Sequence, residues 1–301
     1  MRKAKYYVII SIVILCWWLY HIKTPLNITD EALLDAPIRR LPQVLIIGVR
    51  KGGTRALINS LALHSQIKPA KKEVHFFDDD SLYQLGLDWY RAQMPRTTKS
   101  QLTIEKTPAY FPSSDTPRRV FEMNPHIKLI LIIRHPIARI ISDFSQVQAT
   151  RRSKNLTLLD FESSVFLPNS SIINLKFKPV FNSLYSFHLQ NWLKFFSLKQ
   201  ILVVDGDKFR INPLPEIKKV EKFLGLRPEI TAENIRFNTN KGFYCFVDGN
   251  RHEKCLGERK GRPQVFVEPR VQKMLRKNFK NFNEQFFQLV NKRFLWKKNI
   301  K

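Results

Sequence analysis

Val44-Leu45-Ile46-Ile47-Gly48-Val49-Arg50-Lys51-Gly52-Gly53-Thr54-Arg55 is the stretch that decides the fold. Four apolar residues stop at a glycine, a loop follows with two cations and two adjacent glycines, and leucines then recur at helical spacing from Thr54 to His64. A strand, a loop and a helix therefore succeed one another. At such a junction backbone N–H groups converge on an anion, aided by the helix N-terminus. The loop shares its glycine ends with a Walker A loop, but its lysine falls inside the loop and Gly53 is followed by Thr54 and Arg55. The Lys-Ser/Thr ending that holds magnesium is missing, which argues against an ordinary nucleoside triphosphatase.

The same alternation continues along the chain. Leu129–Ile133 is a second continuous apolar run, as a strand buried on both faces of a parallel sheet requires, and Ile137 to Val147 reads as the following helix. Ile201–Val204 makes a third strand, between a helix through Leu184 to Phe196 and another from Pro215 to Leu224 that Gly225 stops. These elements predict a single α/β domain with a central parallel sheet and a phosphate-binding strand–loop–helix. From Asn238 to Pro269 the chain reads as polar and irregular, and Val271 to Leu289 as a final amphipathic helix. Residues 42–301 form the predicted domain, and the proline-bearing residues 21–41 a short stem.

The chain has 301 residues with 51 Lys plus Arg against 25 Asp plus Glu, a net charge of +26. At 44% hydrophobic with only 10 glycines it is neither disordered nor collagen-like, and the charge demands an anionic partner. The N-terminus decides which one. Arg2, Lys3 and Lys5, in a cytoplasmic tail of residues 1–5, precede an uncharged apolar run at 6–20, read as a transmembrane signal-anchor. A cleaved signal peptide is the competing reading, but no small-x-small site follows Trp17, Trp18, Leu19 and Tyr20. The positive flank predicts a single-pass type II topology with everything after Lys23 in the lumen. A luminal address removes nucleic acid from the partners and leaves glycan as the main polyanion. Three sequons, at Asn27, Asn155 and Asn169, offer glycosylation sites there. Cys16 lies in the apolar run, so Cys245 and Cys255 are the only luminal thiols, and an oxidising lumen favours their pairing. No Cys/His cluster has metal-ligand spacing, so no metal is expected.

Several blocks, in this order, resemble one family. They are Pro42 to Arg55, Glu73-Val74-His75-Phe76-Phe77-Asp78, Glu105-Lys106-Thr107-Pro108-Ala109-Tyr110-Phe111, Ser142-Asp143-Phe144-Ser145-Gln146-Val147, Val204-Asp205-Gly206-Asp207 and Lys241-Gly242-Phe243-Tyr244-Cys245. The chain resembles the heparan sulfate glucosaminyl 3-O-sulfotransferases over about residues 42–295. The resemblance implies a sulfotransferase fold related to nucleotide kinases, residence in the Golgi membrane, and 3′-phosphoadenosine 5′-phosphosulfate (PAPS) as sulfuryl donor.

It also implies roles, residue by residue. Lys51, Gly52, Gly53, Thr54 and Arg55 hold the 5′-phosphosulfate, and Arg134 and Ser142 the 3′-phosphate. Tyr244, Lys260, Gly261 and Arg262 match a second donor-contacting segment, which a Cys245–Cys255 bridge would hold over the nucleotide. Glu73 matches the general base that takes the proton from the glucosamine 3-hydroxyl, and Lys51 the cation that stabilises the leaving 3′-phosphoadenosine 5′-phosphate. His75, Asp78 and Lys106 match residues that position acceptor and donor or support the transferred charge. Arg50, Arg55, Lys106 and Gln146 match acceptor contacts, with Lys71 and Lys72 nearby. Glu73 and His75 flank Val74, so an extended segment would turn both to one side. Two positions depart from the family: His135 stands where Asp is usual, and Gly257 where some relatives carry histidine. Arg151, Arg152 and Lys154 read as a solvated loop.

Two other enzymes and one non-enzyme compete with this reading. An N-sulfotransferase domain shares the donor loop but belongs to longer bifunctional chains. A cytosolic kinase is opposed by the anchor and the altered loop. A non-catalytic heparin-binding protein would be free to lose Lys51, Glu73, His75 and Lys106, and all four are present.

Overall fold

The computed structural model describes residues 36–256 and 264–296. Its centre is a five-stranded, wholly parallel sheet. The strands are β1 (Val44–Gly48), β2 (Ile67–Pro69), β3 (Leu102–Lys106), β4 (Lys128–Ile133) and β5 (Ile201–Asp205), in the spatial order β2-β3-β1-β4-β5. The first strand thus lies in the middle, where successive connections leave in opposite directions. Ligands of open α/β sheets bind outside the carboxyl ends of strands at such a point.

Helices cover both faces, which is why β1 and β4 read as unbroken apolar runs. Val44, Ile46, Ile130 and Ile132 pack with Leu57, Ile58 and Leu61 of α1 (Thr54–Leu61), and with Ile217, Val220 and Leu224 of a later helix, Pro213–Leu224. Leu45, Ile47, Leu129, Leu131 and Ile133 face the other way, onto Tyr90 of α2 (Gly86–Ala92), Leu189 and Trp192 of Tyr185–Leu193, and Phe286 of the last helix, Pro269–Leu289. The helix after β4 runs from Pro136 to Ser153 and anchors a third cluster through Ile137, Ile140, Ile141 and Phe144. Arg151 and Arg152 accordingly sit in its last turn, where cations suit the helix dipole, and not in a loop. The predicted stop at Gly225 is found, with φ 78 at the C-cap.

Three sequence expectations need correction. The stretch expected to be irregular contributes Phe243–Val247 and Glu253–Lys254 to an antiparallel sheet with the preceding Ile235–Asn238. The folded body starts slightly before Pro42, because Ile38 and Arg39 pair with Thr97 and Arg96, and contacts divide the chain after Pro37. Residues 73–75 are not a strand: His75 has φ 57. Among the described residues no helix is long and apolar enough to cross a membrane, and the apolar run at 6–20 lies outside them.

Backbone meets backbone at the ends of β4 and β5. A Cβ on Gly206 would lie 2.5 Å from the Gly52 carbonyl oxygen and 2.6 Å from that of Ile133. Neither oxygen can move without disturbing the loop or the sheet. Gly206→Ala is therefore expected to cost roughly 1–3 kcal/mol, as overpacking does, lowering Tm by on the order of 2–12 °C for a body of this size. Gly249→Ala, whose added Cβ meets nothing within 4 Å, is the control that should leave Tm nearly unchanged.

Candidate active site

The loop after β1 closes by local contacts. Gly52 N–H donates to the Val49 carbonyl at 2.8 Å, and Val49 N–H to the Ile132 carbonyl at 2.8 Å. A Cβ on Gly52 would lie 2.4 Å from that Ile132 oxygen, so only glycine fits. Gly53, at φ +116, is the N-cap of α1, and no side chain caps this helix. Its first N–H groups therefore open onto a cavity of about 670 Å³. Arg50, Lys51, Arg55, Arg134, Arg210 and Lys241 line that cavity against a single carboxylate among the described residues, Glu73. An uncapped helix start ringed by cations fits a ligand with several anionic oxygens.

Glu73 stands at the edge of this cavity with Lys106, Arg55 and His75 on it from three directions. Its Oε1 pairs with Lys106 Nζ and lies 3.7 Å from Arg55 Nη2, while Oε2 lies 3.8 Å from His75 Nε2. Burial pushes Glu73 up, but Lys106, Arg55 and His75 outweigh it and hold the carboxyl below its ordinary value. Burial also lowers Lys106, in spite of Glu73. The ammonium, with 3% of its side chain exposed, sits behind Glu73 and borders a neighbouring groove instead of the cavity. His75 Nδ1 donates to Asp78 Oδ2 at 3.0 Å, so Asp78, which does not line the cavity, orients the imidazole. The two side chains meet as the alternation predicted, for another reason: the left-handed turn at His75 directs its imidazole toward Glu73.

The helix that follows β4 forms the opposite wall, with Ser142 and Gln146 on the cavity. Arg134 lies at the carboxyl end of β4, its Nε donating to Asp207 Oδ1 at 3.2 Å and its Nη1 to the Lys51 carbonyl at 3.5 Å. Asp207 also accepts His135 N–H at 2.7 Å. His135 Nδ1 accepts Ile137 N–H and so caps the helix as an aspartate would. Burial, reinforced by Arg276 and Arg134 and opposed by Asp207, lowers its pKa to about 4, so the cap is neutral and the departure removes one negative charge beside Arg134.

A second support was not read from the sequence. Arg139 is fully buried and donates to the Arg50 carbonyl at 3.2 Å and to Asp143 Oδ2 at 3.0 Å, while Arg50 Nε donates to Asp143 Oδ1 at 2.8 Å. The Ser142-Asp143 block carried this signal, because two charged residues four apart on an otherwise apolar helix face must be paired.

Tyr244 lines the cavity from the small sheet, its hydroxyl donating to the Ile211 carbonyl at 2.9 Å. The next residue, Cys245, is disulfide-bonded to Cys255. The bridge ties the Phe243–Val247 strand to the residue that follows Glu253–Lys254, and it accounts for the Cys245, Glu253 and Cys255 cluster, whose sulfurs are then not thiolates. Lys260, Gly261, Arg262 and Gly257 lie outside the described residues, as does Asn27. Asn155 and Asn169 are exposed outside helices and strands, as glycan acceptors must be.

A sulfotransferase domain family model matches residues 41–290. Heparan sulfate glucosamine 3-O-sulfotransferase 5 of Homo sapiens is 46% identical over 267 residues, covering 89% of this chain and 77% of that protein. Heparan sulfate glucosamine 3-O-sulfotransferase 6 of Mus musculus is 40% identical over 260 residues, 86% of this chain and 74% of that protein. A solved sulfotransferase from Alicyclobacillus acidocaldarius superposes with a TM-score of 0.62 over 85% of this chain and 98% of its own, at 16% identity, and so shares the fold. Identity at this level over most of the chain, together with the sulfotransferase domain match, places the chain in the heparan sulfate glucosamine 3-O-sulfotransferase family.

Proposed function

We propose that the protein transfers a sulfuryl group from PAPS to the 3-hydroxyl of glucosamine residues in heparan sulfate, in the Golgi lumen, anchored by residues 6–20 as a type II membrane protein. The observation that carries the reaction is Glu73, a carboxylate held charged by Lys106, Arg55 and His75 at the edge of a cation-lined cavity behind a glycine loop. When bound, PAPS supplies an activated sulfuryl group with a phosphate leaving group. Lys51, Gly52, Gly53, Thr54 and Arg55 would hold its 5′ end, Arg134 and Ser142 the 3′-phosphate, and Tyr244 the nucleoside side.

Glu73 accepts the proton of the attacking hydroxyl. That proton cancels the carboxylate's charge and frees the fields of Lys106 and Arg55 for the negative charge on the transferred group. Asp78 keeps the His75 imidazole against Glu73, and Lys51 would stabilise the charge on the leaving oxygen. Arg50, Arg55, Gln146, Lys71 and Lys72 give the sulfates and uronates of the acceptor their counter-charges. The direct test incubates the protein with radiolabelled donor and defined heparan oligosaccharides and maps the sulfated position. Label on glucosamine nitrogen or on uronic acid would reject the assignment.

Glu73→Gln keeps nearly the same shape, so affinity for 3′-phosphoadenosine 5′-phosphate should be almost unchanged in calorimetry. Turnover should fall by roughly 10²- to 10⁴-fold, the scale of general-base catalysis. Lys51→Ala should lower both affinity and turnover, because that cation meets the donor before and during transfer. Glu73 is held below its ordinary value of 4.5, so acid should remove the base only below that pH. Retention of more than about a tenth of wild-type transfer by Glu73→Gln would take the base role from Glu73.

The sulfuryl group carries one negative charge fewer than a phosphoryl, and the loop ends in Gly53-Thr54-Arg55 instead of Lys-Ser/Thr. Transfer should accordingly persist in chelator, and activity lost in chelator and restored by magnesium would overturn this.

Joining Cys245 to Cys255 fixes the strand that carries Tyr244. Replacing both by serine should weaken nucleotide binding more than it lowers turnover at saturating donor. Mass spectrometry that finds both thiols free in fully active protein would contradict it.

A further inference from the structure

β3 ends in Glu105 and Lys106, which alternation sends to opposite faces of the sheet. Lys106 reaches Glu73 from one face. Glu105, on the other, is wholly buried and touches neither the cavity nor its neighbouring groove. A carboxyl there is costly unless its neighbours need it.

Its neighbours are the backbone of the Glu73 segment. Glu105 Oε1 accepts Val74 N–H at 3.4 Å and the Thr107 hydroxyl at 2.5 Å, and Oε2 accepts the Tyr90 hydroxyl at 3.4 Å. Thr107 Oγ1 in turn accepts Val74 N–H at 3.1 Å and His75 N–H at 3.4 Å, and the Tyr110 hydroxyl accepts Phe76 N–H at 3.2 Å. Three successive amides, around the left-handed turn at His75, thus rest on side chains from one strand end. No sheet partner could serve them, because residues 73–75 belong to no strand.

We infer that Glu105 is a positioning residue for the transfer reaction, fixing the Val74–His75 backbone from beneath so that Glu73 meets Lys106 and Arg55 at the cavity. The inference rests on the reading of Glu73 as the base. Glu105 and Lys106 grip the segment from both faces of one strand, Glu105 by its backbone and Lys106 by its carboxylate. A displaced Glu73 would still be charged, but off line from the acceptor hydroxyl.

The groups facing Glu105 are Tyr90 from α2, Tyr110 and Thr107 from beyond the strand, and Lys106 beside it. Burial raises both tyrosines well above their ordinary value, so they stay neutral donors. Burial likewise raises Glu105, to about 7, against the lowering effect of Thr107, Val74, Tyr110 and Lys106. Protonation turns one carboxyl oxygen from an acceptor into a donor and weakens its hold on the segment, so turnover should rise as pH passes about 7.

The test compares full-length wild type, Glu105→Ala and Glu105→Gln by transfer rate against pH, by calorimetric binding of 3′-phosphoadenosine 5′-phosphate, and by hydrogen exchange over residues 73–77. Glu105→Ala should lose about 10- to 100-fold in kcat, the effect of a misplaced reacting group, with nucleotide affinity unchanged and exchange over 73–77 accelerated. Glu105→Gln keeps an acceptor for Val74 N–H and should recover most of that loss, while the step near neutral pH disappears in both. Wild-type kcat in Glu105→Ala, or nucleotide affinity falling in parallel with kcat, would overturn the inference. So would the step surviving in Glu105→Gln, which decides the matter alone if the alanine protein does not fold. Should wild type transfer no sulfate, the functional reading fails instead, and exchange over 73–77 still decides for or against the hold on the backbone.

Discussion

Everything at the site depends on how closely the backbone approaches itself around the Ile132 carbonyl. Val49 N–H bonds to that oxygen, and Gly52 passes so near it that a Cβ would sit 2.4 Å away. Gly206 then closes on the Gly52 oxygen from the start of the next helix. Three chain segments, from β1, β4 and β5, are thereby locked together without side chains between them. The lock sets where the N-terminus of α1 points, where Lys51 and Arg55 begin, and where Asp207 can hold Arg134. An anion site made of backbone amides requires such rigidity, because an amide cannot reach out as a lysine can.

The sequence made this half of the molecule legible for a physical reason. β1 and β4 are buried on both faces, so they appear as apolar runs, and a glycine loop between such a run and a helical pattern has few other readings. β2 and β3 were not legible. Ile67-Lys68-Pro69 is short and half polar, and Leu102-Thr103-Ile104-Glu105-Lys106 carries its charged residues into the interior. A strand that brings polar groups to a site loses the signature by which strands are recognised.

The site shows the same division. Lys51, Arg55, Glu73, Arg134, Ser142, Gln146 and Tyr244 line one cavity, as the motif blocks required. What the blocks hid was rank. Lys106 and Asp78 stand behind Glu73 and His75, and Arg139 and Asp143 behind Arg50. Periodicity cannot distinguish a group that touches a ligand from one that holds the group that does, since both are polar residues in a matched block. Burial separates them, and burial is a property of the fold.

Net charge also reads differently once the pairs are known. Among the described residues most lysines and arginines are exposed, where solvent and salt screen each contribution to the +26. Near Glu73 the balance is local: one carboxylate neutralises part of the field of Lys106 and Arg55. On the proposed reading of Glu73 as the base, the groups that hold it charged also make it a weaker base, which opposes proton abstraction. The conflict resolves in the transition state, because the proton is needed only as the new oxygen–sulfur bond forms and the hydroxyl becomes far more acidic. At that stage a base already charged, with cations already in place, requires no reorganisation of the site. A base of ordinary pKa, without those cations, would take the proton more readily from the free alcohol but leave the sulfuryl oxygens unneutralised. On that reading the cation pairing at Glu73 favours the charge distribution of transfer over that of simple deprotonation.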